Sequence, residues 1–387
     1  MKRIVIAPDS FKESLDACQV AAAIAAGLRK EFPAVDLVEV PMSDGGEGLA
    51  STLVAATGGR LLTAEVTGPL GEPVSAKWGI LGDQSTAVVE MSQASGLALV
   101  PPNRRNPMIT TSFGTGELIR QALAMGCSEV VIGIGGSATN DGGAGMAQAL
   151  GARLLTADGG EIDRGAAGLR DLQHIDVRGM DSRLEKARFL VAVDVTNPLC
   201  GSDGASSVYG PQKGATPEMV PVLDDLLAHL ASVVRRDLGA DIMNLPGAGA
   251  AGGMGGGLAA FLRATLSPGV ELVVQIVGLE RIVSHGTDLV ITGEGEINRQ
   301  TAFGKVPVGV ARLAKKYGIP VIALVGSIGE GAAEVLNHGI DAYFSIIPRP
   351  LTLAEALEKD KAAHFLAAQA EQLARLIRLL AGVPDRP

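Results

Sequence analysis

Arg3-Ile4-Val5-Ile6-Ala7-Pro8-Asp9-Ser10-Phe11-Lys12 opens the chain and decides its fold class. Residues 3–7 are short, apolar and β-branched, and Pro8-Asp9 ends the run, which is the pattern of a fully buried strand. From about Asp16 to Glu31 a helix is expected, with Val20, Ile24 and Leu28 spaced by four on one face and Pro33 as the stop. Residues 35–40 read as a second strand and residues 47–56 as a second helix. The chain therefore begins β-α-β-α, the rhythm of a parallel sheet.

The texture changes next. Between Arg60 and Met91, short apolar alternations broken by Thr67-Gly68-Pro69-Leu70-Gly71 and Leu81-Gly82-Asp83 read as antiparallel hairpins. A helix over 116–125, a buried strand over 129–134, a hairpin over 154–162, a strand over 189–193 and a long helix over 217–238 follow. After about Ser284 the strand–helix alternation returns: strands at 288–292, 321–325 and 342–346, helices at 306–317 and 331–338, and a final amphipathic helix over 353–380. The expected architecture is α/β: a discontinuous Rossmann-like parallel-sheet domain built from residues 1–62 and 283–387, with a mixed α/β domain over 63–282 inserted in it. The active site is expected in the cleft between them.

Bulk composition narrows the function classes. Of 387 residues, 47% are hydrophobic, 19% charged and only 3% aromatic. A chain of this kind can bury large cores, and it lacks the stacking platforms of single-strand nucleic-acid binders. The formal charge of −9, with no basic run longer than two residues, argues against nucleic acid or an anionic membrane as partner. Cys18, Cys127 and Cys200 are scattered, so neither a metal knuckle nor a disulfide framework is expected, and the cytoplasm is the natural compartment. The 51 glycines are about 13% of the chain against a usual level of roughly 7%, and they have no collagen-like period.

That excess gathers in five segments placed where strands end, which is where open α/β sheets bind ligands. They are Pro8 to Lys12; Ser43-Asp44-Gly45-Gly46-Glu47-Gly48; Gly135-Gly136-Ser137-Ala138-Thr139-Asn140-Asp141-Gly142-Gly143; Asp194-Val195-Thr196-Asn197-Pro198; and Thr292-Gly293-Glu294-Gly295-Glu296-Ile297-Asn298-Arg299-Gln300-Thr301. Glycines let backbone N–H groups approach phosphate oxygens, while carboxylates beside them would repel phosphate unless Mg²⁺ lies between. Glycine plus acid is thus the mixture of a Mg-nucleotide site. Gly247 to Gly252 matches G-x-G-x-x-G by spacing but follows Leu245-Pro246 rather than a strand, so a dinucleotide site is not indicated. No G-x-x-x-x-G-K-[ST] occurs, which excludes a Walker-type kinase, and no G-x-S-x-G marks a serine-hydrolase elbow.

Taken in order, these segments, with Thr67 to Gly71, Gly210-Pro211-Gln212-Lys213-Gly214 and Pro246 to Gly255, resemble the bacterial glycerate kinase family of the type that makes 2-phosphoglycerate. The resemblance runs from residue 2 to about 350. It implies transfer of the γ-phosphoryl group of ATP, with Mg²⁺, to a hydroxyl of D-glycerate; the alternatives are 3-phosphoglycerate as product, or a catalytically impaired metabolite-binding homologue because of Asn298, and a homo-oligomer stays open. On this resemblance Lys12, Asp194 and Asn298 are expected to be catalytic, and Asp194 and Glu294 to bind the metal. Asp9, Ser10, Asp44, Glu47, Gly135, Gly136, Ser137, Asn140, Asp141, Asn197, Gly293, Glu294, Gln300 and Lys305 are expected to contact substrate or phosphate. One departure stands out: the family usually carries aspartate where this chain has Asn298. Asparagine keeps the shape but removes any general-base or metal role.

Overall fold

Ile4, Val5 and Ile6 are fully inaccessible to solvent because their strand lies inside a parallel sheet, as its unbroken apolar run requires. The computed structural model describes residues 1–380. Its strands are β1 (Arg3–Ile6), β2 (Asp36–Glu39), β3 (Arg60–Thr67), β4 (Pro73–Ile80), β5 (Thr86–Glu90), β6 (Glu129–Gly133), β7 (Arg153–Leu155), β8 (His174–Asp176), β9 (Arg188–Ala192), β10 (Thr265–Ser267), β11 (Leu289–Ile297), β12 (Val321–Ile328) and β13 (Ala342–Ser345). The fold is mixed α/β. It divides into two units, one formed by Met1–Asp44 with the chain from Val270 onward, the other by Gly45–Gly269.

The first unit holds a five-stranded sheet in the order β13-β12-β11-β1-β2, parallel throughout. Ile4, Val5 and Ile6 pair with Leu289, Val290 and Ile291 of β11, and with Leu37, Val38 and Glu39 of β2. Helix Ala17–Glu31 begins with a capping box: Gln19 N–H donates to Asp16 Oδ1 at 2.8 Å, and Asp16 N–H donates to Gln19 Oε1 at 3.1 Å. Its buried face, Val20, Ile24 and Leu28, shares a core with Leu366, Ala370 and Leu373 of helix Lys359–Leu380. These helices cross closely at Gly27, where a Cβ would stand 2.1 Å from the Ala367 carbonyl oxygen. The expected single helix over 353–380 is instead two, Leu353–Leu357 and Lys359–Leu380, broken at the extended Glu358.

The second unit holds a six-stranded sheet in the order β10-β9-β6-β5-β4-β3. The β3-β4-β5 meander is antiparallel, whereas β5, β6, β9 and β10 run parallel. The expected hairpin over 154–162 amounts to one bridge, Leu155 to Glu161; β7 pairs mainly with β8, antiparallel. Among the helices unmarked by the expected pattern, Ala250–Leu262 belongs to this unit, whereas Leu279–Ser284 and all but the first residue of Gly269–Val277 belong to the first.

The unit boundaries differ from 62/63 and 282/283 for packing reasons. Helix Leu49–Thr57 lies so close to β4 that a Cβ on Gly79 would stand 2.4 Å from Val54 Cγ2, so the helix belongs with Gly45–Gly269. At the other end, Val270 packs on helix Val306–Lys315, where a Cβ on Gly309 would be 2.3 Å from Val270 Cγ1.

Candidate active site

In the first unit, the segment after β1 and the carboxyl end of β11 lie side by side, with Asp9 N–H donating to the Gly293 carbonyl at 2.8 Å. Asp9 is 8% exposed. Burial first, and then the neighbouring Asp44 carboxylate, push its carboxyl up to about 7; the Ser10 N–H opposes that shift, Glu294 adds to it by less, and Lys12 opposes it least. Ser10 N–H donates to Asp9 Oδ1 at 2.7 Å and so fixes that carboxyl's direction. Lys12 is exposed, one residue before Glu13, whose φ of 64° turns the chain back so that Phe11 meets Leu15.

β11 is longer than the expected strand. It runs through Ile297, so Gly293, Glu294 and Gly295 are strand residues and the loop proper begins at Asn298. The glycines of this stretch serve the sheet: a Cβ on Gly293 would lie 2.1 Å from the Leu324 carbonyl oxygen. Glu294 is 5% exposed, and both its oxygens are engaged. Oε1 accepts from Thr301 Oγ1 at 2.6 Å, and Oε2 faces Lys305 Nζ at 3.6 Å. Burial raises its carboxyl above the ordinary glutamate value, and the Thr301 hydroxyl and Lys305 oppose that shift.

Asn298 caps the short turn Arg299–Phe303. Its Oδ1 accepts from Gln300 N–H at 2.9 Å, its own N–H donates to Thr301 Oγ1 at 3.1 Å, and its Nδ2 donates to Glu296 Oε1 at 2.7 Å. Both polar side-chain atoms are thus engaged, Oδ1 within the turn and Nδ2 with the end of β11. Gln300 is exposed, and only its backbone N–H enters these contacts.

In the second unit, the segment after β6 has an outer and an inner part. Gly135 and Gly136 are exposed, while Ser137 to Gly143 are buried. Asn140 and Asp141, expected to face phosphate, point inward. Asn140 Nδ2 donates to Ser206 Oγ at 3.0 Å. Asp141 accepts from Ser112 N–H and Ser112 Oγ at 2.8 Å each, and from the N–H groups of Gly143 and Gly145 at 3.2 and 3.3 Å. Those bonds tie the segment to the start of helix Phe113–Ala124, and burial is what raises the Asp141 carboxyl. Lys213, quoted above only as part of a glycine motif, is 1% exposed and donates from Nζ to the Thr139 carbonyl at 2.7 Å. Burial lowers its ammonium to about 7, with Asp141 opposing.

Beyond β9, Asp194 is exposed and its Oδ1 accepts from Gly269 N–H at 2.8 Å. Asn197 holds its own loop, donating to the Asp203 carbonyl at 2.8 Å and accepting from Tyr209 Oη at 2.7 Å. Glu47 is exposed. Glu90, at the end of β5 and absent from the expected site, accepts from Gly48 N–H and Ala50 N–H at 2.9 Å each, and so caps helix Leu49–Thr57.

Asp194 and Glu294 are the residues expected to bind Mg²⁺. Asp194 and Glu294 belong to different units, and both Glu294 oxygens are taken by Thr301 and Lys305. Among the described residues no group of three or more His, Cys, Asp or Glu is arranged to hold a metal ion. No helix among them is long and apolar enough to cross a membrane.

A model of the glycerate kinase family matches residues 4–378. The chain is 54% identical over 354 residues to a glycerate 2-kinase of Escherichia coli K12, covering 92% of this chain and 93% of that one. It is 52% identical over 377 residues to a glycerate kinase of Bacillus subtilis 168, covering 97% and 98%. A crystal structure from Salmonella typhimurium LT2, of a candidate glycerate kinase 2, superposes with a TM-score of 0.91 at 51% identity, over 99% of this chain and 100% of that one.

Proposed function

The chain belongs to the glycerate kinase family and is an enzyme, and from that premise we propose that it transfers the γ-phosphoryl group of ATP to the 2-hydroxyl of D-glycerate. The observation that carries the site assignment is the buried group at the carboxyl ends of β1 and β11, where Asp9, Asp44 and Glu294 crowd together with Lys12 and Lys305. We read the first unit as a discontinuous Rossmann-like domain and Gly45–Gly269 as the domain inserted in it.

Phosphoryl transfer asks little covalent chemistry of a protein; it asks for positioning, charge neutralisation and a group to take the hydroxyl proton. Asp9 suits that last task. A general base works best with a pKa near the working pH, and Asp9 titrates at about 7 with its direction set by the Ser10 N–H. Asn298 is neutral and its polar atoms are engaged, so its part is to hold the turn that presents Gln300, Thr301 and Lys305. Lys12 and Lys305 supply positive charge for the carboxylate of glycerate or for phosphate oxygens. Gly135 and Gly136 offer exposed backbone for close approach of a phosphate, and Ser137 fixes their far side by bridging to Gly96. Asp44, Glu47 and Asp194 are proposed to orient substrate hydroxyls. Mg²⁺ brought in with ATP would supply neutralisation of the phosphate charge.

An ATP-dependent assay across small hydroxy acids, with the product position read by phosphorus NMR, tests the reading. Phosphorylation of D-glycerate at C2 is expected. Product phosphorylated at C3 would overturn the position, and no transfer to any hydroxy acid would overturn the activity.

A further inference from the structure

Among the described residues, Lys213 is the largest side chain with less than 2% exposure. Burying an ammonium costs several kcal/mol unless it is well paired, so a lysine retained there has a reason to be there. Its ammonium donates to the Thr139 carbonyl at 2.7 Å, and the charge of Asp141 is near enough to favour its protonated form. The same carbonyl oxygen has a second close neighbour. A Cβ on Gly252, in the left-handed conformation at φ +71°, would stand 1.9 Å from the same Thr139 oxygen. Gly142 N–H donates to the Gly252 carbonyl at 3.0 Å, closing the clasp. Lys213 itself is delivered by a tight turn ending at Gly214, whose φ of +93° lets it lie against the Arg105 carbonyl. Directly beside the clasp, Thr139 Oγ1 and Asn140 Oδ1 are buried without a partner, so at Thr139 itself the carbonyl, not the side chain, carries the contact with Lys213.

We infer that Lys213 is a positioning residue for phosphoryl transfer: its ammonium and the bare Cα of Gly252 clasp the Thr139 carbonyl and so fix the exposed Gly135-Gly136 backbone that receives phosphate. The inference rests on the proposed kinase reading. It makes Gly210 to Gly214 and the Gly247 to Gly252 run parts of one anchoring device, although neither motif touches ligand in this account. The glycine run that imitates a dinucleotide fingerprint is there for close backbone packing.

Two arms test it in the full-length protein. Amide hydrogen exchange across residues 135–143, which needs no activity, should quicken at least tenfold in Lys213→Met while helix Met219–Leu238 keeps its protection. The kinetic arm should show a rise of tenfold or more in KM for ATP, a fall in kcat, and a smaller change in KM for glycerate. Lys213→Ala leaves a gap the size of n-propylamine, and that amine, but not tetramethylammonium, should restore turnover. Unchanged exchange in the loop would overturn the anchoring. Loosened exchange with an unaltered KM for ATP, or loss of activity that tracks only the unfolded fraction without amine rescue, would overturn the link to phosphate. A parent enzyme inactive on every hydroxy acid would defeat the kinase reading alone, leaving the exchange arm to decide the clasp.

Discussion

Asp9 joins two opposed demands. Its carboxyl titrates near the ordinary 3.8 when the chain is unfolded and at about 7 when folded. Between those values the folded protein keeps a proton that the unfolded chain has lost, so the associated stability is complete below about pH 4 and is lost as pH rises through about 7. At about 1.4 kcal/mol per unit, the loss is on the order of 4 kcal/mol by pH 8. Asp9→Asn should therefore raise the melting temperature relative to the parent at pH 8 and hardly at all at pH 4, while lowering kcat by about 10²–10⁴-fold. Equal melting shifts at both pH values would show that Asp9 is not the strained group. For Asn298 the structure argues a milder outcome. Aspartate would still accept from Gln300 N–H but would face Glu296, to which Asn298 now donates, across a like-charge contact. Turnover of Asn298→Asp should stay within about threefold of the parent, since proton transfer lies with Asp9; a gain of tenfold or more would return the base to position 298.

Elements show which signals a sequence carries. Helix faces and buried strands were legible: Val20, Ile24 and Leu28, spaced by four, mark the buried face of helix Ala17–Glu31, and the unbroken Arg3 to Ala7 run marks a central strand. The polar glycine-rich segments were also found, but their inward and outward parts were not, because Asn140 and Asp141 read alike whether they meet phosphate or Ser206 and Ser112. Nor was the length of β11, since Thr292 to Glu296 carries turn-like residues that only the pairing with β12 holds extended. Lys213 had no local signal at all; its burial is set by segments far away in the chain. Glycine is the hardest case, because conformational need and spatial need look the same in sequence. Gly252 and Gly239 have the same φ, +71°, yet a Cβ would meet the Thr139 oxygen at 1.9 Å in the first and nothing within 4 Å in the second. Urea unfolding should show Gly239→Ala costing about 1 kcal/mol, the backbone term alone. Gly252→Ala should cost a further 1–3 kcal/mol, roughly, the penalty of an overpacked core. Similar costs at both sites would mean that the loop gives way easily and the clasp is loose.

At the scale of the whole molecule, the sheet orders say which pieces can fold alone. β1 lies between β11 and β2, so the chain from Val270 onward lacks both an interior strand and an edge strand of its own sheet. It also lacks helix Ala17–Glu31, the partner of Lys359–Leu380, and with it the ion pairs of Lys30 with Glu371 at 2.8 Å and of Arg375 with Glu31 at 3.0 Å. The exposed pairs add little, but Ile24 and Leu28 against Leu366 and Ala370 are core. Gly45–Gly269, by contrast, contains every strand of its six-stranded sheet and two clusters of buried apolar side chains. Expressed alone, residues 45–269 should unfold cooperatively in urea, and residues 270–387 should not. Fusing residues 1–44 behind residue 387 through a flexible linker returns β1 between β11 and β2 without the middle of the chain, and should restore a cooperative transition. A cooperative transition in 270–387 alone would show that β11, β12 and β13 make a sufficient core, and that β1 is added to a sheet already formed. Failure of the fused protein to fold, with 45–269 folding well, would show that the first unit needs the Gly45–Gly269 unit as a template, so that the two are one folding unit despite their separate cores.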